Sequence, residues 1–370
     1  MVGTTTEMTG GLACTWALPP GRPAGGGYGW RAMAPHATPK IGVVVPATDG
    51  PATLARCVQA IRRGADPPDE VIVVTEPAGA GPAAARNAGA RRATADVLVF
   101  VDADIVVHPD AIGRIRQAFE RDPSLTALFG SYDDEPPAPG AVSGFRNLLH
   151  HHVHQQAAGA AETFWAGLGA IRRQAFLGVG GFDESWFPRA SIEDVELGMR
   201  LVDGGGRIWL DPEIQGTHLK RWTLLGMLRT DFARRGLPWT GLLLRARRVP
   251  RHLNLGWSHR LSAIASVLAL FAALRRRPGM VAGAVVALVA LNRSLYALVL
   301  KRRGPSGALV GVGVHMLHHL AATASVAAGV AADGLGRSHR RRWNGWSGDG
   351  SRPHRSTLPV PVDEAPARLP

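Results

Sequence analysis

Short apolar runs alternate with helix-like segments in the first third of the chain. Three runs are almost wholly apolar, as in strands buried on both faces of a sheet: residues 41–45, 70–74 and 96–101. Three segments between or after them have the spacing or composition of helices: 53–63, 82–92 and 109–121. This alternation predicts an α/β fold with a mostly parallel sheet and helices on both of its faces.

Longer apolar runs begin after about residue 255. Residues 261–274 form a run of 14, shorter than the roughly 20 residues that a helix needs to cross a bilayer. The runs at 279–300 and 307–332, of 22 and 26 residues, are long enough, and Arg293 lies near enough to the end of the first for its side chain to reach the interface. We expect one interfacial helix followed by a hairpin of two membrane spans.

The net charge of the chain is +13, from 42 Lys and Arg against 29 Asp and Glu. Clusters of basic residues border the apolar runs, at 245–251, 275–277, 301–303 and 337–342. Cations in such positions are typical of membrane flanks that meet anionic headgroups. The positive-inside rule then places only cluster 301–303 outside, so we expect a cell-membrane protein whose N-terminal domain faces the cytoplasm.

Two classes of protein find no support in the sequence. No zinc finger, aromatic RNA-binding signature or helix-turn-helix pattern accompanies the positive charge, so no nucleic-acid partner is expected. Cys14 and Cys57 are too few for a disulfide framework or a cysteine-rich zinc site, which favours a reducing compartment.

Composition divides the chain into four segments. Residues 1–38 are rich in Gly, Pro and Thr and predict a disordered leader without a secretory signal. The domain of alternating strands and helices occupies residues 39–245. Membrane-associated helices occupy 246–336, and a disordered basic tail occupies 337–370.

Two carboxylates follow the third predicted strand directly. Asp102 and Asp104 are two residues apart, so in extended backbone their side chains point to the same side. They lie beyond the carboxyl end of a parallel strand, where open α/β sheets bind ligands. Converging carboxylates repel each other unless a cation lies between them, and Mg²⁺ and Mn²⁺ prefer carboxylates combined with substrate phosphates. We expect a divalent metal here; the alternative is a turn-capping Asp102 and a solvated Asp104.

A second acidic cluster begins at Ser191, where the sequence predicts the start of a helix. Glu193 and Asp194 have two interpretations. Acidic residues in a first helical turn are stabilised by the helix dipole. A carboxylate at a helix mouth that faces a cleft can also act as a general base. The residues alone favour the first interpretation.

Six motifs occur in an order and spacing that resemble the family 2 glycosyltransferases, which have the GT-A fold, a Rossmann-like mostly parallel sheet. The motifs are VVVP at 43–46, EVIVV at 70–74, ARNAG at 85–89, FVDAD at 100–104, GGFDE at 180–184 and EDVEL at 193–197. The resemblance covers roughly residues 40–245. It implies transfer of a sugar from a nucleotide-sugar to an acceptor, with inversion at the anomeric carbon.

The resemblance also implies roles for single residues. Asp102 and Asp104 would hold Mg²⁺ or Mn²⁺ on the donor diphosphate, and Asp194 would be the general base. Glu193 would lie beside Asp194 in the acceptor pocket. Besides Asp102, the donor nucleotide would contact four residues: Pro46, Ala47, Glu76 and Arg86.

The sequence departs from the family pattern after the second strand. Thr75-Glu76 stands where the family usually has an acidic pair, and the segment 76–82 is short. The identity of the nucleotide therefore stays open.

Residues 165–173 correspond to an acceptor-side loop in related enzymes. Trp165 offers a ring face for a sugar and Gly167 allows close backbone approach, so both are candidate acceptor-binding residues. A tight turn with a core tryptophan is an equally good interpretation.

The segment His218-Leu219-Lys220-Arg221-Trp222 resembles a variant of the Gln-x-x-Arg-Trp motif of processive family members. Arg221 would bind the diphosphate, Trp222 would stack against the acceptor, and His218 would be a third metal ligand. The alternative is a basic amphipathic helix at the membrane. The histidines at 150–154 fit a solvated or interfacial helix better than a metal site.

The leading hypothesis is a membrane-anchored, metal-dependent, inverting glycosyltransferase with a lipid-linked or glycan acceptor. A polyprenyl-phosphate sugar synthase is the nearest alternative. An inactive membrane scaffold of the same fold is the alternative from another class, and the departure at Thr75-Glu76 suggests it.

Overall fold

The computed structural model describes residues 38–246 and 256–334. The expected leader (1–38) and basic tail (337–370) therefore fall outside the described residues, apart from residue 38.

The described residues contain a single eight-stranded mixed sheet. Its strands are β1 (Ile41–Pro46), β2 (Glu70–Val74), β3 (Val97–Val101), β4 (Ile105–Val107), β5 (Leu125–Tyr132), β6 (Gly159–Ala161), β7 (Leu168–Arg172) and β8 (Arg207–His218). Their order is β2-β1-β3-β7-β5-β8-β4, and β6 pairs with β8. β1, β2, β3, β5 and β8 run in one direction and β4, β6 and β7 in the other. The predicted mostly parallel sheet is confirmed.

Helices cover both faces of this sheet, as predicted. The first six are α1 (Leu54–Arg62), α2 (Pro82–Arg92), α3 (Ala111–Arg121), α4 (Ala141–Gln156), α5 (Arg173–Gly178) and α6 (Glu193–Asp203). Because successive strand side chains point to opposite faces, Val43 and Val45 pack with α1 and α3, whereas Val44 packs with α2, α5 and α6. The apolar runs are thus buried on both faces.

The loop expected at 165–173 is wrong in its second half, because residues 168–172 form β7. This strand runs antiparallel between β3 and β5, with Gly169 opposite Phe100 and Phe129. Gly169 is required there because a Cβ would lie 2.5 Å from Cζ of Phe164. Trp165 and Gly167 therefore lie just before a central strand.

Six further helical segments follow the sheet. They are α7 (Leu224–Arg229), a π-helix (Thr230–Gly236), α8 (Leu237–Ala246), α9 (Trp257–Leu274), α10 (Pro278–Leu291) and α11 (Arg293–Gly334). α11 bends at Gly304, whose φ of 70° is left-handed, and Pro305 follows it. Within the described residues, α9 and the stretch Arg293–Asp333 of α11 are long and apolar enough to cross a membrane.

The helix expected over 279–300 is interrupted. α10 ends at Leu291, and the Asn292 side chain donates to Ser262 Oγ and Leu288 O, each at 2.8 Å. An amide that satisfies these two acceptors gives a local reason for the break between α10 and α11. The second expected run, 307–332, lies within α11 as a single helix.

Candidate functional site

The Asp102–Asp104 turn joins β3 to β4 at the edge of the cleft. The backbone N–H of Asp102 donates to Gly167 O at 3.0 Å, and its carbonyl accepts from Ile105 N at 2.9 Å. The side chains of Asp102 and Asp104 remain 34% and 28% exposed. The two carboxylates are therefore fixed by backbone hydrogen bonds while facing solvent.

Arg86 is a buried cation that joins the two acidic motifs. Its Nη2 lies 2.6 Å from Asp102 Oδ1 and its Nη1 lies 3.0 Å from Glu193 Oε1, and its side chain is 5% exposed. We expected Arg86 to contact the nucleotide; in the structure it lies on the inner face of α2, and both terminal nitrogens bind carboxylates. Only Oδ1 of Asp102 is taken by Arg86, so Oδ2 remains for another ligand.

Glu193 and Asp194 begin α6, as the sequence predicts. Glu193 Oε2 accepts from Ser191 N at 2.8 Å. Asp194 accepts from Ala166 N at 3.1 Å and from Val195 N at 2.8 Å. Burial, and then the charge of Glu193, raise the pKa of Asp194 to about 6. A carboxylate with this pKa can take up a proton near neutral pH.

His218 ends β8 beside Asp104. The pairing of β4 with β8 and the hydrogen bond from Leu219 N to Asp104 O hold the two residues together. His218 Nδ1 lies 2.6 Å from Asn147 Oδ1, and its Nε2 lies 3.5 Å from Asp104 Oδ2. The Nε2 atom can donate to this carboxylate when it carries a hydrogen, or offer its lone pair to a metal ion that Asp104 also binds.

This donor set fits a divalent cation that is shared with a substrate. Among the residues that the structure describes, no group of three or more His, Cys, Asp or Glu side chains is arranged to enclose a metal ion. Mg²⁺ and Mn²⁺ are commonly held by one or two carboxylates and complete their coordination with substrate phosphates. Although burial acts in the opposite sense, His218 and Lys220 lower the pKa of Asp104, so Asp104 is ionised.

Aromatic rings continue from His218 into the domain. Tyr132 stacks on His218 with ring centroids 4.2 Å apart and meets Trp165 edge-on at 4.9 Å. Trp165 in turn contacts His150 and His154 on α4 at 4.9 and 5.1 Å. Burial lowers the pKa of His154 to about 4, and its Nδ1 lies 3.0 Å from Gly130 O. The solvated or interfacial helix expected for these histidines is wrong for His154, which is neutral and in the core.

Residues 165–167 connect the two carboxylate sites. Ala166 N binds the Asp194 carboxylate, and the neighbouring Gly167 O binds the backbone of Asp102. A Cβ on Gly167 would overlap the Trp165 ring. This short segment therefore links the backbone of Asp102 to the carboxylate of Asp194.

The predicted donor residues after β1 and β2 lie at the same sheet edge. Ala47 N donates to Val74 O at 2.8 Å, and Gly79 N donates to Thr48 O at 2.8 Å. Pro46 is half-buried, Ala47 is buried, and Glu76 is exposed. Glu76 therefore offers an accessible carboxylate, whereas Ala47 can present only its backbone.

Trp222 and Arg221 lie in different environments. Trp222 packs under Arg146 and Lys220, whose cationic groups are 5.5 and 4.8 Å from its ring, and its backbone N donates to Ser143 Oγ at 2.5 Å. It is half-buried and packs against apolar side chains of α4 and α11. Arg221 is exposed.

Arg235 is a candidate site residue that the sequence analysis missed. Ser191 Oγ donates to Arg234 O at 2.7 Å, which ties the π-helix to the residues just before Asp194. The exposed guanidinium of Arg235 lowers the pKa of both Asp194 and Tyr132, although burial dominates both shifts. No local motif marks Arg235, because its position depends on the π-helical turn.

Comparison with known proteins gives one family match. Residues 68–177 match the family model described as Glycosyl transferase family 2. The matched segment contains Arg86, Asp102, Asp104 and Trp165, and it ends before Asp194. No curated protein matches the chain in sequence.

Three of the solved structures that are similar to this chain have low sequence identity to it. The mannosyltransferase PcManGT from Pyrobaculum calidifontis, in complex with GDP-Man and Mn²⁺, is 15% identical, with 79% of this chain and 88% of that chain covered and a TM-score of 0.44. GalNAc-T7 with UDP, GalNAc and Mn²⁺ is 16% identical, with coverage of 56% and 48% and a TM-score of 0.41. TarS 1–349 of S. aureus is 14% identical, with coverage of 81% and 93% and a TM-score of 0.38. Similarity at this level assigns no functional role to any residue of this chain.

Replacement of Arg86 tests its role as the shared cation. We expect Arg86→Met to lower the free energy of unfolding by about 3–5 kcal/mol at pH 8, because it leaves the buried Glu193 carboxylate and the partly exposed Asp102 carboxylate without their cation. Carboxylates without a cation have raised folded-state pKa values, so the loss should grow as pH rises above their unfolded values near 4 and be smaller at pH 5. Denaturant unfolding at both pH values measures this.

Arg114→Met is the matched control, because Arg114 forms an exposed pair with Asp110 four residues away. Its cost should stay below about 1 kcal/mol at either pH. An equal cost for the two variants would contradict the bridging role of Arg86.

Proposed function

We propose that this chain, which carries a glycosyl transferase family 2 domain and is a glycosyltransferase, transfers a sugar from a nucleotide-sugar. The proposed acceptor is membrane-linked or a glycan, and the transfer inverts the configuration at the anomeric carbon. One observation carries the proposal. Asp102 and Asp194 are both anchored to residues 166–167: the backbone N–H of Asp102 donates to Gly167 O, and the Asp194 carboxylate accepts from Ala166 N. A leaving-group site and a base separated by so short a segment suit a single in-line displacement.

Asp194 is the proposed general base. Its carboxylate takes the proton of an acceptor hydroxyl as the oxygen attacks the anomeric carbon. The bond from that carbon to the diphosphate oxygen breaks, and its electron pair leaves with the nucleoside diphosphate. One displacement of this kind inverts the configuration. Glu193 is tied to Arg86 and Ser191, so its proposed role is to position the acceptor side of α6.

Asp102, Asp104 and His218 are the residues that would hold a divalent metal ion. A bound Mg²⁺ or Mn²⁺ neutralises charge on the departing diphosphate as a Lewis acid. Lys220 lies close enough to lower the pKa of Asp104, so its ammonium group adds positive charge on the same side. Pro46, Ala47 and Glu76 are the proposed contacts of the nucleotide.

Exposed apolar side chains closely follow the proposed metal-binding residue His218 in the chain. Leu224 and Leu225 of α7, which are 40% and 77% exposed, follow His218 by six and seven residues. This proximity supports a membrane-linked acceptor. Since nucleotide-sugars are made in the cytoplasm, we place the catalytic domain on the cytoplasmic face of the cell membrane.

Arg235 favours a second candidate, a polyprenyl-phosphate sugar synthase. An exposed guanidinium whose charge reaches Asp194 suits an acceptor that is itself a phosphate. A phosphate oxygen is already ionised and needs no base, so the two candidates differ in how far transfer depends on Asp194.

Asp194→Asn separates these functions. With a hydroxyl acceptor, we expect transfer to fall by about 10²–10⁴-fold, because the amide cannot accept the proton. Mn²⁺-dependent nucleotide binding should be unchanged, as measured by calorimetry. Asp203→Asn, at the other end of α6, is the control and should keep transfer. Retained transfer to a polyprenyl phosphate by Asp194→Asn would favour the synthase, and loss of nucleotide binding would contradict the base assignment.

The pH profile tests the same carboxylate. A base must be deprotonated, so kcat/KM should fall as pH decreases through about 6, the raised pKa of Asp194. Arg235 lowers this pKa, so Arg235→Ala should move the acid limb to higher pH. Arg234→Ala is the control and should leave the limb in place. If Arg235→Ala left the acid limb of the pH profile in place, the proposed influence of Arg235 on the pKa of Asp194 would be contradicted.

A thermal-shift screen identifies the donor nucleotide. The detergent-solubilised protein is heated with UDP, GDP, dTDP or CMP, with and without Mn²⁺. A ligand present at 100 times its Kd adds about 2.7 kcal/mol to the stability of the folded state, so Tm should rise with one nucleotide and only with Mn²⁺. Asp102→Ala/Asp104→Ala should abolish the rise and Asp110→Ala should keep it. No rise with any nucleotide in folded protein would contradict the donor site.

A further inference from the structure

α11 is bound to the catalytic domain immediately before its bend. Arg302 forms two hydrogen bonds with Asp134, of 2.7 and 2.8 Å, and a third of 3.1 Å with Glu135. Arg303 donates to Pro136 O at 2.7 Å. These acceptors lie between β5 and α4, so residues 302 and 303 lie on the same side of the molecule as the catalytic domain.

Beyond the bend, one stripe of α11 continues to face the domain. Its residues are three, four or seven apart, the spacing of a single helical face: Gly311, His315, His318, Ser325 and Gly329. A Cβ on Gly311 would lie 2.9 Å from the Phe145 ring on α4. At the far end, a Cβ on Gly329 would lie 2.7 Å from Thr240 on α8.

A buried polar cluster lies in the middle of this stripe. Arg146 Nη2 lies 2.5 Å from Asp231 Oδ1, and His318 Nδ1 lies 2.8 Å from Asp231 Oδ2. The three residues come from α4, the π-helix and α11. If α11 separated from the domain, Arg146 and Asp231 would stay paired but Asp231 would lose its hydrogen bond with His318. This loss would cost free energy.

The length of this contact is incompatible with a membrane crossing by α11. Residues 303 to 329 extend over about 40 Å at 1.5 Å per residue. The hydrocarbon core of a bilayer is about 30 Å thick. α4, which packs on part of this length, also packs on β5 and β8, while the π-helix and α8 contact α11 along the rest. A crossing would therefore carry the polar catalytic sheet into the hydrocarbon core.

The opposite face of α11 is apolar and exposed. Leu309 is 76% exposed, and Val310, Leu317, Val326 and Val330 are each at least 37% exposed. From residue 305 to 334 the only acidic or basic side chain apart from histidines is Asp333. Within residues 38–246 and 256–334, every exposed large apolar side chain lies between residues 224 and 330. Apolar surface of this extent marks an interaction with a membrane or a protein.

α9 and α10 extend this apolar surface. Their side chains line an apolar groove of about 530 Å³. The 14 residues of α10 reach about 21 Å at 1.5 Å per residue, too short for the hydrocarbon core. Arg275, Arg276 and Arg277 are exposed at the tip between the two helices, and Trp257 is 74% exposed at the other end. Arginine and tryptophan at the margins of apolar surface suit anionic headgroups and the membrane interface.

We propose that α9, α10 and the apolar face of α11 bind one leaflet of a lipid bilayer from the catalytic-domain side, without crossing it. The basic residues at the margin complement anionic headgroups, which favours a lipid surface over a protein partner as the occupant. This arrangement replaces the expected hairpin of two spans, in which cluster 301–303 would lie across the membrane. It rests on the proposed membrane association and not on sugar transfer.

Cysteine accessibility tests the arrangement in the full chain. The background is Cys14→Ser, which keeps the buried Cys57. Lys301→Cys and Arg277→Cys report the two margins, and Gln117→Cys on α3 is the matched control on the catalytic domain. A membrane-impermeant maleimide is applied to spheroplasts and to inverted vesicles. We expect all three to be labelled in inverted vesicles and unlabelled in spheroplasts.

Labelling of Lys301→Cys or Arg277→Cys in spheroplasts, with Gln117→Cys unlabelled, would overturn the proposal. Repeating the series with Asp194→Asn separates it from the proposed activity, because labelling should not change when transfer is lost. Recovery of the chain in the soluble fraction would overturn membrane binding itself.

A disulfide provides a second measurement. Thr240→Cys/Gly329→Cys in the same background should cross-link in native membranes, because the positions are in contact. Absence of the cross-link in protein that retains its Mn²⁺-dependent nucleotide binding would show that the far end of α11 leaves the domain, and would overturn the proposal.

Discussion

The buried guanidinium of Arg86 is the interaction on which the site depends. Four carboxylates gather at the carboxyl edge of the sheet, and like charges in a poorly solvated place repel strongly. Arg86 binds Asp102, 16 residues away, and Glu193, 107 residues away, so one cation holds the end of β3 against the start of α6. The next residue, Asn87, both donates to and accepts from the backbone of Phe182, which fixes the approach to α6.

The pKa values of Asp104 and Asp194 are shifted in opposite directions. Asp104 has a lowered pKa because it lies beside His218 and Lys220, and so it stays ionised for a cation. Asp194 has a raised pKa because burial and Glu193 disfavour its charge. Neighbouring acids whose environments separate their pKa values commonly divide the work of charge stabilisation and proton transfer. Here the difference arises from position in the fold, since both are aspartates in short acidic motifs.

The features that depend on nearby residues could be predicted from the sequence. β1, β2, β3 and their helices follow from apolar runs and helical spacing, and the turn holding Asp102 follows from the end of β3. The features that were missed depend on distant residues. β7 is short and is a strand because β3 and β5 flank it. Trp222 is half-buried because apolar side chains of α4 and α11 pack against it, and Arg86 faces inward because it pairs with Glu193.

The stacking of α11, α4 and the sheet fixes the distance between the catalytic cleft and the outer face of α11. α11 packs on α4, which packs on β5 and β8, and packed helices are about 8–10 Å apart. If the outer face of α11 rests on lipid, these layers place the catalytic cleft at a short and fixed height above the headgroups. An acceptor would then have to present its reactive group near the bilayer surface. A glycan that grew outward would carry its end beyond the cleft, so the height of the fold would itself limit how many sugars are added.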